Sequence, residues 1–217
     1  MNVLVIAPHP DDESIGCGGS ICLHTDRGDR VAVAFLTSGE LGLKHLPGEE
    51  AKRIRESEAA AAARQLGMAN LFFLRLPDWF VGDNIEQAGA ALRPIIEHEA
   101  PDLIYLPHAQ EWHPDHQASL PVLMEALGSE ASANTAPRLL TYEVWTPLAE
   151  YSYVEDISAV MQRKIKAVRC YRSQLRGFRY DRAVRGLNQY RGALAAHRLY
   201  AEVFGEVDVA PPDDKAL

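Results

Sequence analysis

Two tetrapeptides supply the residue types in this chain that are best suited to chemistry. The first motif is HPDD at residues 9–12 and the second motif is HPDH at residues 113–116, and together they contain three histidines and three aspartates. A metal-dependent hydrolase needs about three protein ligands and one position open for water. Two imidazoles and one carboxylate meet that need, and a second carboxylate can act as a general base. The two motifs therefore predict a hydrolytic metal centre.

Each motif follows a short apolar run that is typical of a buried parallel strand. These runs are residues 3–7 (VLVIA) and 103–106 (LIYL). A proline favours extended geometry in the residue before it and suits the first turn of a helix. We therefore expect the histidine that opens each motif to end an extended segment and the proline to open the next turn. Because sites in open α/β sheets form beyond the carboxyl ends of the strands, the two motifs are expected to meet at one edge.

Two simpler interpretations compete with a metal site. Aspartate in the first turn of a helix complements the helix dipole, so a single HPDD segment can be no more than a helix start. The recurrence of the motif after a second strand makes that interpretation less favourable. The glycines of residues 16–19 (GCGG) do not match the G-x-G-x-x-G pattern of dinucleotide-binding loops. We expect them to allow close packing of the first helix instead.

Strands and helices alternate along the chain, which predicts βαβ units with right-handed crossovers. Together with the resemblance described below, this predicts a Rossmann-like three-layer α/β sandwich with a mostly parallel sheet. One domain is expected over residues 1–207, with a surface loop near 129–134 and a flexible tail at 208–217. The expected strands are residues 3–7, 31–36, 71–76, 103–106 and 138–145, and the expected helices are 14–27, 49–66, 86–99, 114–127 and 157–172.

Composition excludes several classes of protein. The chain has 217 residues and a formal charge of −8, from 22 basic and 30 acidic residues, which argues against a nucleic-acid partner. Three cysteines are too few for a disulfide framework, and we expect them to be reduced. No apolar stretch approaches the ~20 residues of a membrane span, and the first residues lack a basic leader. We therefore expect a cytoplasmic protein; the sequence does not determine its oligomeric state.

Several segments carry a family resemblance in order along the chain. They are APHPDDE at residues 7–13, TSGE at 37–40, R-x-x-E-x-x-x-A-x-x-x-L-G at 55–67, LPD at 76–78, HPDH at 113–116, YRSQ at 171–174 and YAEVF at 200–204. This set resembles the PIG-L/LmbE-like zinc de-N-acetylases. HPDDE paired with a downstream HPDH is the specific part of the signal, whereas TSGE or LPD alone would be weak.

The resemblance implies which residues bind the metal, which residue is the general base and which residue contacts the substrate. Zinc would be bound by His9 and Asp12 from the first motif and by His116 from the second. Asp11 would be the general base for the attacking water, and Arg55 would contact the substrate. Ferrous iron or another divalent metal can occupy the same kind of ligand set.

In the second motif, spacing alone does not distinguish His113 from His116 as the metal ligand. The resemblance implies that His113 stabilises or protonates the developing tetrahedral intermediate, with Asp115 as its partner. A cationic imidazole at that position would act as an oxyanion donor, of a kind worth about 3–4 kcal/mol in acyl transfer.

The sequence departs from the family pattern just before the second motif. Some members carry a tyrosine two residues before the HPDH histidine, where this chain has Glu111. We expect Glu111 and Trp112 to contribute to substrate binding. Two alternatives stay open at this position: another hydroxyl replaces that of the tyrosine, or Glu111 binds a polar or amino group of the substrate. Trp79, Phe80 and Trp112 could stack on a sugar face, although packing roles are equally compatible with the sequence.

The predicted activity is zinc-dependent removal of the acetyl group from an N-acetylglucosamine-type amino sugar or its conjugate. One alternative is a zinc amidase or deacylase that acts on a non-sugar or thiol-conjugate amide. Another is a metal-binding or nucleotide-binding Rossmann-like module without hydrolysis. The expected partner is a small N-acetylated molecule.

Overall fold

The structure is a computed structural model that describes residues 1–128 and 136–207. Within these ranges a single sheet contains seven strands. The strands are β1 (Asn2–Ala7), β2 (Arg30–Thr37), β3 (Asn70–Leu76), β4 (Leu103–Pro107), β5 (Arg138–Tyr142), β6 (Tyr153–Asp156) and β7 (Ala201–Val207). The helices are α1 (Asp12–Gly16), α2 (Gly18–Asp26), α3 (Gly48–Leu66), α4 (Ile85–Glu99), α5 (Pro114–Leu127), α6 (Met161–Val168), α7 (Arg172–Leu175) and α8 (Tyr180–Arg191). Shorter helical segments are Glu40–Leu43, Val81–Asn84 and Gly192–Ala196.

The strands lie in the order β3-β2-β1-β4-β5-β7-β6. Strands β1 to β5 are parallel to one another, and β7 is antiparallel to both β5 and β6. The chain moves outward from β1 to β3 and then returns to place β4 on the other side of β1. This reversal creates a switch point between β1 and β4, which is where ligands bind in sheets of this kind. The predicted mostly parallel sheet is confirmed.

Helices cover both faces of the sheet. Side chains alternate along β1, so that Val3, Val5 and Ala7 pack in one apolar cluster with residues of α2, α3 and α6. Leu4 and Ile6 pack in a second cluster with residues of α4 and α5. Because both faces of β1 are buried, its sequence is a continuous apolar run rather than an alternating one. The predicted three-layer α/β sandwich is confirmed.

The helix predicted over residues 14–27 is divided into α1 and α2 at Cys17. A Cβ atom at Gly19 would lie 2.5 Å from Ile157 Cγ2, and one at Gly16 would lie 2.2 Å from the Tyr142 ring. The glycines of this segment therefore allow the close packing expected of them.

The carboxy-terminal third differs most from the prediction. The strand predicted over 138–145 ends at Tyr142, and the helix predicted over 157–172 is shortened to α6. Strands β6 and β7 and helix α8 were not predicted. Among residues 1–128 and 136–207, no helix is long and apolar enough to cross a membrane. The predicted loop at 129–134 and tail at 208–217 lie outside the described residues, and the single-domain assignment stays a prediction.

Candidate metal centre and its cleft

The two motifs meet at the switch point between β1 and β4. The first motif follows β1 directly, and the second follows the loop after β4. His113 is the N-cap of α5, with extended backbone angles of φ −78° and ψ 129°, and Pro114 lies in the first turn. The sequence therefore predicted the geometry of the second motif correctly, because the proline fixes both its neighbour and the helix start.

Three side-chain atoms from the two motifs form a compact buried triangle. His9 Nδ1 lies 3.2 Å from Asp12 Oδ2, and His116 Nε2 lies 3.2 Å from the same oxygen and 3.3 Å from His9 Nδ1. Tetrahedral zinc with bonds of about 2.0–2.1 Å separates its ligand atoms by about 3.3–3.4 Å, which is close to these distances. Asp12 Oδ1 is buried and has no hydrogen-bond partner among the described residues. The residues present therefore fit a divalent metal ion.

The other ring nitrogen of His9 faces two buried carboxylates. His9 Nε2 lies 3.1 Å from Asp115 Oδ2 and 3.2 Å from Asp78 Oδ1. Asp115 also accepts hydrogen bonds from the backbone N–H groups of Trp79 and Val81. Carboxylates in this position orient a metal-ligating histidine and fix its tautomer. The expectation that the Asp115 side chain partners His113 is wrong, because it binds His9 and the loop after β3 instead.

His113 lies on the cleft side of the triangle. Its ring centroid is 4.6 Å from that of His9 and 4.4 Å from the Trp79 indole. Its Nδ1 accepts the backbone N–H of Asp115 at 3.3 Å, so a neutral ring carries its proton on Nε2. Burial and the nearby imidazoles of His9 and His116 lower the pKa of His113 to about 4. This favours a neutral donor at pH 7 rather than the cationic imidazole we expected.

Asp11 lies beside Arg55 at the floor of the cleft. Asp11 Oδ2 is 3.5 Å from Arg55 Nη1, and Arg55 Nη2 donates a hydrogen bond of 2.6 Å to the Pro10 carbonyl oxygen. Burial raises the pKa of Asp11 to about 7, although the Arg55 guanidinium opposes that shift. A carboxyl group with a pKa near the working pH is suited to general acid–base catalysis.

The cleft above these groups has a volume of about 450 Å³ and is rich in aromatic side chains. All three tryptophans of the chain line it. Trp79 and Trp112 are 42% and 59% exposed, and their ring centroids are 6.3 Å apart. Two of the predicted substrate contacts, Arg55 and Trp112, also line this cleft, whereas Phe80 does not.

Comparison with known proteins identifies the family. The PIG-L family model, described as GlcNAc-PI de-N-acetylase, matches residues 4–127. This chain belongs to the PIG-L family.

Individual relatives cover most of the chain. It is 30% identical to the diacetylchitobiose deacetylase of Thermococcus kodakarensis, over 92% of this chain and 80% of the relative. It is 32% identical to a probable N-acetyl-alpha-D-glucosaminyl L-malate deacetylase of Bacillus subtilis, over 81% of this chain and 84% of the relative. The solved N,N'-diacetylchitobiose deacetylase of Pyrococcus horikoshii superposes with a TM-score of 0.82, at 26% identity, over 95% of this chain and 84% of that one.

Glu111 is placed differently from our prediction for this PIG-L family member. Its side chain is fully buried and does not line the cleft. Glu111 Oε1 accepts hydrogen bonds from the backbone N–H groups of Val144, Trp145 and Thr146, at 2.7, 3.0 and 3.2 Å. Its Oε2 lies 3.7 Å from His116 Nδ1. This geometry contradicts the predicted substrate contact, because the carboxylate is used to order the loop after β5 beside His116.

Sequence reasoning also missed the residues that hold Asp11 in place. The backbone N–H of Asp11 donates to Glu13 Oε2 at 3.1 Å, and Glu13 Oε1 accepts from Tyr171 Oη at 2.6 Å. Both HPDDE and YRSQ were noted as parts of the family resemblance, but no local pattern links residues 13 and 171. Asp78, which faces His9 Nε2, could be recognised in the sequence only as the last residue of the LPD segment.

Proposed function

We propose that this PIG-L family member is a zinc-dependent deacetylase that hydrolyses the N-acetyl amide of an N-acetylglucosamine-type amino sugar or its conjugate. The observation that carries the proposal is the donor triangle of His9, Asp12 and His116, with Asp11 beside it at the floor of an aromatic cleft. The relatives from Thermococcus kodakarensis and Pyrococcus horikoshii are themselves named deacetylases, which supports the same reaction.

In the proposed mechanism, His9, Asp12 and His116 hold the metal. When bound, a zinc ion polarises the amide carbonyl and lowers the pKa of the attacking water. The Asp11 carboxylate takes a proton from that water and returns it to the departing amine. The Nε2–H of the neutral His113 ring donates a hydrogen bond to the amide oxygen as negative charge develops there, and the proton stays on the ring. Arg55 keeps the Asp11 carboxylate aimed at the cleft through its contacts with Asp11 and the Pro10 carbonyl.

The aromatic rim supports a sugar substrate. Trp79 and Trp112 present exposed ring faces next to His113, and the apolar face of a pyranose can stack on such rings. The proposal therefore places the acetamido group at the metal centre and the sugar ring against these tryptophans. It also includes a cytoplasmic location, a single domain over residues 1–207 and no nucleic-acid partner, which the formal charge of −8 supports.

Acetate release tests the proposal directly. We expect release from N-acetylglucosamine, N,N'-diacetylchitobiose or an N-acetylglucosaminyl malate, abolished by a chelator and restored by zinc. Elemental analysis of protein purified without added metal identifies the native ion. Iron in place of zinc would overturn the choice of metal but not the reaction. Acetate release only from non-sugar amides would overturn the sugar substrate, and no hydrolysis of any amide would overturn the function.

A further inference from the structure

A second cavity lies beside the cleft and has no role in the proposed mechanism. Its volume is about 250 Å³, and it is lined by residues of α1, α8, β7 and the loop after β5. An engineered apolar cavity of about 150 Å³ in another protein holds a benzene molecule, so this one has room for a larger group. Most of its walls are apolar and are formed by Ile15, Val144, Pro147, Val184, Leu187 and Val203.

Two aromatic side chains are shared by the second cavity and the cleft. Trp145 and Tyr180 line both spaces, and their ring centroids are 4.9 Å apart with the planes tilted by 55°. Both rings are half-buried. The cleft and the second cavity therefore adjoin at these two rings.

The polar groups at the second cavity select against a charged ligand. Glu143 is paired with Arg191, and Glu202 accepts a hydrogen bond of 2.6 Å from Lys164 Nζ, so both carboxylates are already compensated. None of the described residues that line the cavity is basic. Asn188 is 4% exposed, and its Oδ1 accepts no hydrogen bond from any residue in the described part of the chain. The best ligand is therefore uncharged and mostly apolar, with at most one hydrogen-bond donor.

We propose that the second cavity binds a hydrocarbon chain carried by the amide substrate in the cleft. This inference rests on the proposed deacylation and narrows its substrate class to amino sugars that carry an alkyl chain, either in the acyl group or as the aglycone. Each methylene group that becomes buried is expected to raise kcat/KM about threefold, up to a chain of about six to eight carbons.

The test compares two substrate series on the purified full-length protein. One is N-acylglucosamine with acyl chains from acetyl to decanoyl, and the other is N-acetylglucosamine alkyl β-glycosides from methyl to decyl. We expect kcat/KM to rise at least tenfold with chain length in one series and to level off near eight carbons. The series that shows the rise identifies whether the acyl group or the aglycone carries the chain. A decline from the first added methylene in both series would overturn the proposal.

A filling variant links the chain-length effect to the cavity. Leu187→Trp should remove most of the gain for long chains, whereas Gln189→Trp, at an exposed position of the same helix α8, should retain it. Ala183→Phe is the second filling variant if Leu187→Trp does not fold, as judged by circular dichroism. A gain that both filling variants retain would show that the chain binds elsewhere and would overturn the proposal.

Calorimetric titration separates this inference from the proposed function. Octyl glucoside contains no amide, so its binding does not depend on turnover. We expect it to bind at least tenfold more tightly than methyl glucoside, with the difference lost in Leu187→Trp. If no amide is hydrolysed but this difference is found, the second cavity binds an alkyl chain as proposed, whereas the deacylase function and the amide substrate class both fail. Equal binding of the two glucosides would overturn the cavity proposal whatever the activity.

Discussion

Asp11 has a backbone conformation that the surrounding structure must enforce. Its φ angle is 137°, outside the regions that residues with a side chain normally occupy, and such positions cost about 1–3 kcal/mol. The hydrogen bond from its N–H to Glu13, which Tyr171 holds in turn, supplies part of that enforcement. The strain turns the Asp11 carboxyl toward Arg55 and the cleft, while the next residue, Asp12, points into the donor triangle.

Replacing Asp11 by asparagine tests whether it is the base. The asparagine side chain keeps the size of the original and tolerates positive φ, but it cannot accept a proton from water. We expect Asp11→Asn to lower kcat by about 10²–10⁴-fold, with metal content within a factor of about two of the unmodified protein. Asp83→Asn, at an exposed position, is the matched control. Near-normal turnover in Asp11→Asn would assign the base to another residue.

The residues of the two motifs could be predicted, whereas their partners could not. His9, Asp12 and His116 are recognisable because a strand end and a proline fix where they project. Asp115 and Glu111 were assigned to the wrong partners, because each binds backbone N–H groups of a loop distant in sequence. A local pattern contains no information on which loop reaches a buried carboxylate.

A buried carboxylate on β7 joins two helices to the sheet. Glu202 accepts hydrogen bonds from the backbone N–H groups of Gly19 and Ser20 at the start of α2, at 2.7 and 2.8 Å. It also pairs with Lys164 of α6, and both side chains are essentially fully buried. The antiparallel end of the sheet therefore holds the helix that follows the first motif.

Breaking this buried pair should be costly, and removing both charges should be less so. We expect Glu202→Gln to lower the free energy of unfolding by about 3 kcal/mol, because it leaves the Lys164 ammonium without its counterion. Adding Lys164→Met should recover part of the loss. Urea unfolding followed by circular dichroism measures both. Glu206→Gln, on the same strand but exposed, should leave stability nearly unchanged. A double variant less stable than Glu202→Gln would contradict this account.

Burial explains part of the difference between the elements that were predicted and those that were missed. Strands β1, β2 and β4 have both faces covered, so each is an apolar run that stands out in the sequence. Strand β6 has only four partly buried or exposed residues at the edge of the sheet, and β7 contains Gly205. Helix α8 contains Gly186 and few apolar residues. These segments are stabilised by tertiary contacts more than by their own pattern.

The parallel and antiparallel halves of the sheet contribute different parts of the protein. The parallel half carries both motifs at its switch point, and the antiparallel half supplies the second cavity and the Glu202 network. Carboxylates that accept hydrogen bonds from basic groups occur in both halves of the protein, and these bonds lower the pKa of the carboxyl groups. Hydrogen bonds from the N-terminus and His24 lower the pKa of Asp29, and those from Arg75 lower the pKa of Glu56.

The best single probe of these pairs is Asp181 of α8. Hydrogen bonds from Arg179 lower its pKa to about 2 despite the opposing effect of burial, and Arg169 adds to the shift. A carboxyl group with a lowered pKa binds fewer protons in the folded than in the unfolded protein. Its stabilisation is therefore complete above the unfolded pKa of about 4 and is lost as the pH falls toward 2.

We expect the contribution of Asp181 to the free energy of unfolding to change little between pH 8 and pH 5 and to fall steeply between pH 4 and pH 2. Asp181→Asn should cost about 1 kcal/mol at pH 7, a modest value because both guanidinium groups are more than half exposed and solvent screens them. At pH 2 the two proteins should be nearly equal in stability. Asp181 is then protonated in the unfolded protein and about half protonated in the folded protein, so little of its charge-dependent stabilisation is left. Urea unfolding at pH 7, 4 and 2 measures the difference, with Asp83→Asn as the control. A difference that persists unchanged at pH 2 would show that Asp181 acts through packing rather than through its charge.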